Sequence, residues 1–217
     1  MTDRNDTRRP ARRIDIGRLQ SDIEWALERG LPQRDLVPML ERLRRHAEPG
    51  SSAACFAATE LAELLLQGNP WRAAVLCREV LQHEETDRAW AVLGLGLMML
   101  GHFHSAKRAF AKALALAPGC SSYAHNLGHL LDAALDRPRE ALPWLEQAWL
   151  AHPYDAELAA SYAHALLRVG READARRTLD RALGETPGAV DALLARWTTP
   201  QRPRGDDEAP TPVPVVY

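Results

Sequence analysis

Lysine is almost missing from this chain of 217 residues: Lys107 and Lys112 stand alone, and arginine carries the remaining positive charge. With abundant Ala and Leu, that bias fits GC-rich coding and suggests a bacterial source. No apolar run approaches the roughly 20 residues that a bilayer-spanning helix needs. The opening MTDRNDTRRPARR is charged but is followed by no apolar segment, so it reads neither as a secretory signal nor as a twin-arginine leader. Strict apolar–polar alternation is absent, which argues against strands. Cysteine is scarce and odd in number: Cys55, Cys77 and Cys120 lack metal-type spacing, and reduced thiols in a cytoplasmic protein are expected. The formal charge is only −2, so no global field draws the chain to nucleic acid or membrane. Nucleophile–base pairs, phosphate loops and paired catalytic acids are missing too, so no enzyme, cofactor or resident metal is expected.

Hydrophobic residues make up 46% of the chain, enough for a continuous core, and Ala, Leu, Arg and Glu favour helix throughout. The organising stretch is Trp90 to Pro118, WAVLGLGLMMLGHFHSAKRAFAKALALAP. It reads as two amphipathic helices joined at Gly101. Small and bulky apolar residues sit where the helices must cross: Leu93 and Gly94, then Ala106, Phe110 and Ala113, with Pro118 closing the unit. The same order returns downstream. Leu127-Gly128, Ala141, Leu145, Ala148 and Pro153 repeat it after an interval that grows to 35; Tyr162-Ala163, Ala175, Leu179, Ala182 and Pro187 repeat it at 34. Upstream, Ala73, Cys77 and Val80 hold the second-helix places at a spacing of 33. The extra residue of the 35-residue interval is expected in the turn, around Asp136-Arg137-Pro138, where insertions cost least.

This order of Trp, Leu-Gly, Ala, Phe, Ala and Pro, near a 34-residue period, resembles the tetratricopeptide signature. The resemblance implies an all-α, right-handed solenoid of stacked antiparallel hairpins: about three clear repeats, one or two degenerate N-terminal hairpins and a C-terminal capping helix. Hairpins are expected at about 14–48, 53–85, 87–118, 121–153 and 155–187, with a cap at 189–197. Ile16, Leu19, Ile23 and Leu27, broadened by Trp25 and Ala26, mark the first helix, with Gly30 as its stop. Leu36, Leu40 and Leu43 mark the second, where Pro38 is tolerated if it lies in the first turn. Gly68-Asn69 makes the next turn and Pro70 begins a helix; Ser121 or Ser122 is expected to cap the third full hairpin. Residues 1–13 read as a disordered basic arm and 198–217 as a proline-rich disordered tail.

In this family the first helix of each repeat lines a concave groove, so function is sought at groove positions that the fold does not require. These are Ala91, Leu95, Met98 and Met99; then Ser122, His125, Asn126, His129 and Asp132; then Glu157, Ala160, Ser161, His164, Leu167 and Arg168. The expected groove is apolar and methionine-bearing in the middle, suited to an adaptable peptide contact, and polar toward the C-terminal side. The family's carboxylate clamp for heat-shock chaperone tails needs Lys, Asn and Arg where this chain has Ala91, Leu95, Asn126, Glu157 and Ser161; only Asn126 matches. The leading expectation is a bacterial, cytoplasmic adaptor or scaffold that binds another protein or peptide and neither nucleic acid nor membrane. Alternatives are a chaperone resembling those of type III secretion translocators, a metal-binding or enzyme-associated module using His125, His129 and His164 near Asp132, and a self-associating scaffold.

Overall fold

Five helices begin at a side chain that accepts a backbone hydrogen bond. Asp15 accepts from the N–H of Arg18, Ser51 from Ala54, Asn69 from Arg72, Thr86 from Ala89, and Asp155 from both Glu157 and Leu158. Each takes up a donor left free at a helix start. The computed structural model describes residues 14–184 and 188–198. Eleven α-helices make up the described residues: α1 Ile16–Glu28, α2 Gln33–His46, α3 Ser52–Leu65, α4 Pro70–Val80, α5 Asp87–Met99, α6 Phe103–Leu116, α7 Ser121–His129, α8 Pro138–Ala151, α9 Ala156–Arg168, α10 Glu172–Leu183 and α11 Ala189–Thr198. A π-helical turn, Leu130–Ala134, extends α7. The arm at 1–13, the residues beyond Thr198 and the closing Pro187 lie outside the described residues.

Successive helices pair as antiparallel hairpins, and the hairpins stack into a right-handed α-solenoid. One apolar core runs its length, from Ile23 in α1 to Leu194 in α11. Helices α1, α3, α5, α7 and α9 form one layer and their partners the other. The cap helix α11 buries Val190 and Leu194 and ties Arg176 of α10 to Asp191 at 2.8 Å.

Three hairpin turns share one closure. The N–H groups of Leu31, His102 and Arg171 reach back five residues to the carbonyls of Ala26, Leu97 and Leu166. Before each donor stands a glycine in the left-handed region, Gly30, Gly101 or Gly170, as this helix ending requires. The third full hairpin departs from the rule. Arg137 reaches back six residues, to Leu131, and the left-handed position is filled by Asp136 at φ 56°. The extra residue of the 35-residue interval therefore lies inside the helix, as the π turn, and not in the loop where it was expected. A π turn keeps the backbone hydrogen-bonded while absorbing one residue, and it re-aims the side chains that follow.

Other expectations are corrected by packing. Pro38 lies at the sixth position of α2, because the helix begins at Gln33, so Pro38 removes one interior hydrogen bond; Pro143 does the same in α8. Helix α7 starts one residue earlier than Ser121 or Ser122 can cap it, and Cys120 at the cap position makes no side-chain bond. Trp25 does not broaden the buried stripe of α1; it is half exposed, with the Arg29 guanidinium 4.4 Å from its ring centre. Ala182, near the end of α10, is only half buried.

Candidate functional site

The first-helix layer, where the groove is expected, is tighter in its middle than the sequence suggests. Helix α5 is apolar on every side and buried from Ala91 to Met98. Met98 is 7% exposed and belongs to the core; only Met99 reaches partly into solvent. The methionine-bearing groove floor is thus replaced by core packing.

What remains open is a cleft of about 150 Å³ among α3, α5 and α7. Leu66, Ala91, Val92 and Leu95 form its apolar floor, and Ser122, Tyr123 and Asn126 close it from α7. Four residues expected in the groove, Ala91, Leu95, Ser122 and Asn126, meet here. At its mouth Arg88 donates to two carboxylates, at 2.6 Å to Glu60 and at 2.5 and 2.7 Å to Glu63. Hydrogen bonding to Glu63 holds the guanidinium charge firmly, against the opposing effect of burial. The Tyr123 hydroxyl donates to Asp87 at 3.1 Å, and burial together with that bond pushes its pKa up. Glu60, Glu63, Asp87 and Arg88 were not anticipated. Arg88 stands 28 and 25 residues from Glu60 and Glu63, and Asp87 36 from Tyr123, so none of these pairs falls on the repeat period and only the stacked structure reveals them.

Toward the C-terminal side the expected polar residues form a ladder between α7 and α9. His125 Nε2 shares a 2.9 Å hydrogen bond with Ser161 Oγ. His164 Nδ1 donates to Asp132 Oδ2 at 2.6 Å, and Arg168 donates to the Asp132 carbonyl at 2.5 Å and to its Oδ1 at 2.8 Å. Arg168 also grips the carboxylate of Asp136. Asp132 is buried within the π turn, and two donors, His164 Nδ1 and Arg168 Nη1, satisfy its carboxylate. Burial holds the His125 imidazole down to about 4, and His129, 5.9 Å away between ring centres, pushes the same way. Burial also lowers His129. Buried His125 Nδ1 and His129 Nε2 find no protein partner. These imidazoles do not converge: His125 is held by Ser161 and His164 by Asp132, with Trp197 edge-on to it. Among the described residues no three His, Cys, Asp or Glu side chains are placed to share a metal ion. Ala160 and Leu167 are half buried beside this ladder, and Glu157 is exposed at the start of α9.

On the opposite layer, a wider depression of about 530 Å³ lies between α8 and α10. The Arg181 guanidinium sits 5.5 Å from the ring centres of both Trp149 and Tyr154 there. No sequence signal distinguished it. No helix among the described residues is long and apolar enough to cross a membrane.

Comparison with known proteins agrees with this architecture. The tetratricopeptide repeat family matches at 87–120 and, in a second form, at 132–196. The chain therefore contains tetratricopeptide repeats. Among curated proteins, Protein FlbA of Caulobacter vibrioides is 34% identical over 163 residues, which cover 74% of this chain and 26% of that one. The chain thus spans about a quarter of that relative's length. Solved structures of similar shape include MamA 41-end from Desulfovibrio magneticus RS-1 (TM-score 0.66, 17% identity, 79% of this chain and 95% of that one). A crystal structure of MamA protein is comparable (TM-score 0.64, 16% identity, 87% and 98%). At such identities the likeness concerns the fold. Proteins built of these repeats generally mediate protein–protein interaction and are generally not enzymes.

Proposed function

We propose that this chain is a non-enzymatic scaffold that holds a partner polypeptide against the layer of first helices α3, α5, α7 and α9. The observation that carries this reading is the open cleft among α3, α5 and α7, whose floor belongs to the core but whose α7 wall, Ser122 and Asn126, is polar where hairpin packing does not need it. Packing demands small or apolar residues where helices cross, and that demand is met by Gly94 with Phe110 and by Gly128 with Leu145. It does not call for Ser122 or Asn126 at the cleft, nor for Ser161, His164 and Arg168 along α9. An extended or helical segment laid across these positions would touch Ala91 and Leu95 through the cleft, then Ser122 and Asn126, and then the ladder from His125 to Arg168. Met98 and His129 support the surface from beneath.

The test fills the cleft without touching the core. Ser122→Trp places a large ring in the opening at a half-buried position. Proteins captured by the full chain from its native cell should be lost with Ser122→Trp and kept with Ser122→Ala, both variants retaining helical circular dichroism. A partner that binds both variants equally places the interaction elsewhere, and the depression around Arg181 then becomes the surface to mutate.

A further inference from the structure

The cleft among α3, α5 and α7 is small for a ligand pocket. Sites for free small molecules run to about 300–1,000 Å³, and this one offers about 150 Å³ with an apolar floor. It has room for one side chain of a polypeptide rather than for a cofactor. Two further features say which polypeptide. The first is charge. Glu63 lines the cleft beside Arg88, Glu60 shares the same guanidinium and Asp87 holds the hydroxyl of the lining Tyr123, so three carboxylates surround one positive charge. Arg88 is spent on both glutamates, while Asp87 has only the neutral hydroxyl of Tyr123. Two negative charges remain uncompensated beside an apolar pocket, a field that attracts a cation and repels phosphate or carboxylate. The second is Asn126. It is 6% exposed, it lines the cleft, and its amide has no hydrogen-bond partner among the described residues. An extended backbone presents the carbonyl and N–H that would pair with this amide in the cleft.

We propose that the cleft receives a partner segment in which an aliphatic side chain stands next to arginine or lysine. The aliphatic group rests on Ala91, Val92 and Leu95, the cation lies against Glu63 and Asp87, and the main chain pairs with Asn126. This inference rests on the groove reading above and narrows it to cationic, aliphatic peptides. It runs opposite to a carboxylate-gripping site, which needs the reverse charge.

The test uses the full chain and three synthetic decapeptide libraries, each with a fixed central leucine. The residue after the leucine is fixed as arginine, glutamine or glutamate, and the other positions are random uncharged residues. The arginine library should be retained at least about tenfold better than the glutamate library, with the difference shrinking at high salt, where exposed charges are screened. Changing Glu63→Gln together with Asp87→Asn should remove that preference, and Asn126→Ala should weaken the arginine and glutamine libraries alike. Equal retention of all three libraries, each lost with Ser122→Trp, overturns the charge assignment and leaves the groove reading standing. Retention unaffected by Ser122→Trp overturns both, and retention of none overturns the cationic assignment. Thermal unfolding of each variant separates loss of binding from loss of fold.

Discussion

A methyl group built on Gly94 would lie 2.7 Å from the ring of Phe110, and one on Gly128 would lie 2.6 Å from Cγ of Leu145. The same contact recurs in successive hairpins, a missing side chain on the first helix against a large one on the second. In the α9–α10 hairpin the corresponding pair is Ala163 and Leu179, and in the α3–α4 hairpin it is Leu61 and Cys77, with the larger member on the other helix. All are buried. The crossing point keeps a roughly constant volume while its division between the helices changes.

Gly94→Ala should therefore destabilise the chain by about 1–3 kcal/mol through overpacking, read as a lower urea midpoint. Phe110→Leu combined with it should cost less than the sum of the two single changes, because the shorter side chain vacates the space. Strict additivity would show that the two residues do not share that space.

Acid should weaken the fold through His125. Its folded pKa of about 4 lies below the ordinary 6.5, so the unfolded chain takes up the proton first. The stabilisation is complete above about pH 6.5 and is lost as pH falls toward 4, amounting to about 3 kcal/mol over that window. His125→Gln keeps a partner for Ser161 and cannot titrate, so its stability should fall less steeply across the same range. Parallel profiles for the two proteins would remove His125 from the explanation.

Asp136 sets two small effects against each other. Its left-handed backbone costs a side-chain-bearing residue about 1–2 kcal/mol, somewhat less for Asp, while an exposed ion pair such as that with Arg168 is worth about 0–1 kcal/mol. Strain outweighs the pair. Asp136→Gly should be neutral or stabilising by up to about 1 kcal/mol, and Asp136→Ala, which loses the pair and keeps the strain, should be destabilising. Calorimetric midpoints in that order support the argument; glycine less stable than alanine would refute it.

The thiols should react in order of access. Burial pushes Cys77 up to about 12 and raises Cys55 as well, and Cys77 is fully enclosed, whereas Cys120 is half exposed. Iodoacetamide should modify Cys120 first and Cys77 at least about a hundredfold more slowly, through opening of the α3–α4 hairpin. Comparable rates, measured by mass spectrometry, would mean that this hairpin is loosely packed.

The repeat architecture was legible because it is written in local and periodic terms. Gly101 and Gly170 announce turns, Asn69-Pro70 announces a helix start, and Gly94 with Phe110 recurs as Gly128 with Leu145, 34 and 35 residues further on. Such signals depend on neighbours a few residues away or on the next copy of the same unit, and both can be read along a line. The sequence by itself therefore determined the stacked helical hairpins and which helices share a layer. Tertiary structure decided the rest. It closed α5 off from solvent and took Met98 into the core, it moved the inserted residue into a π turn that contains the buried Asp132, and it brought Glu60 and Glu63 onto Arg88. Those outcomes follow from how far the hairpins rotate on one another, a sum of side-chain volumes over many contacts that no short pattern records.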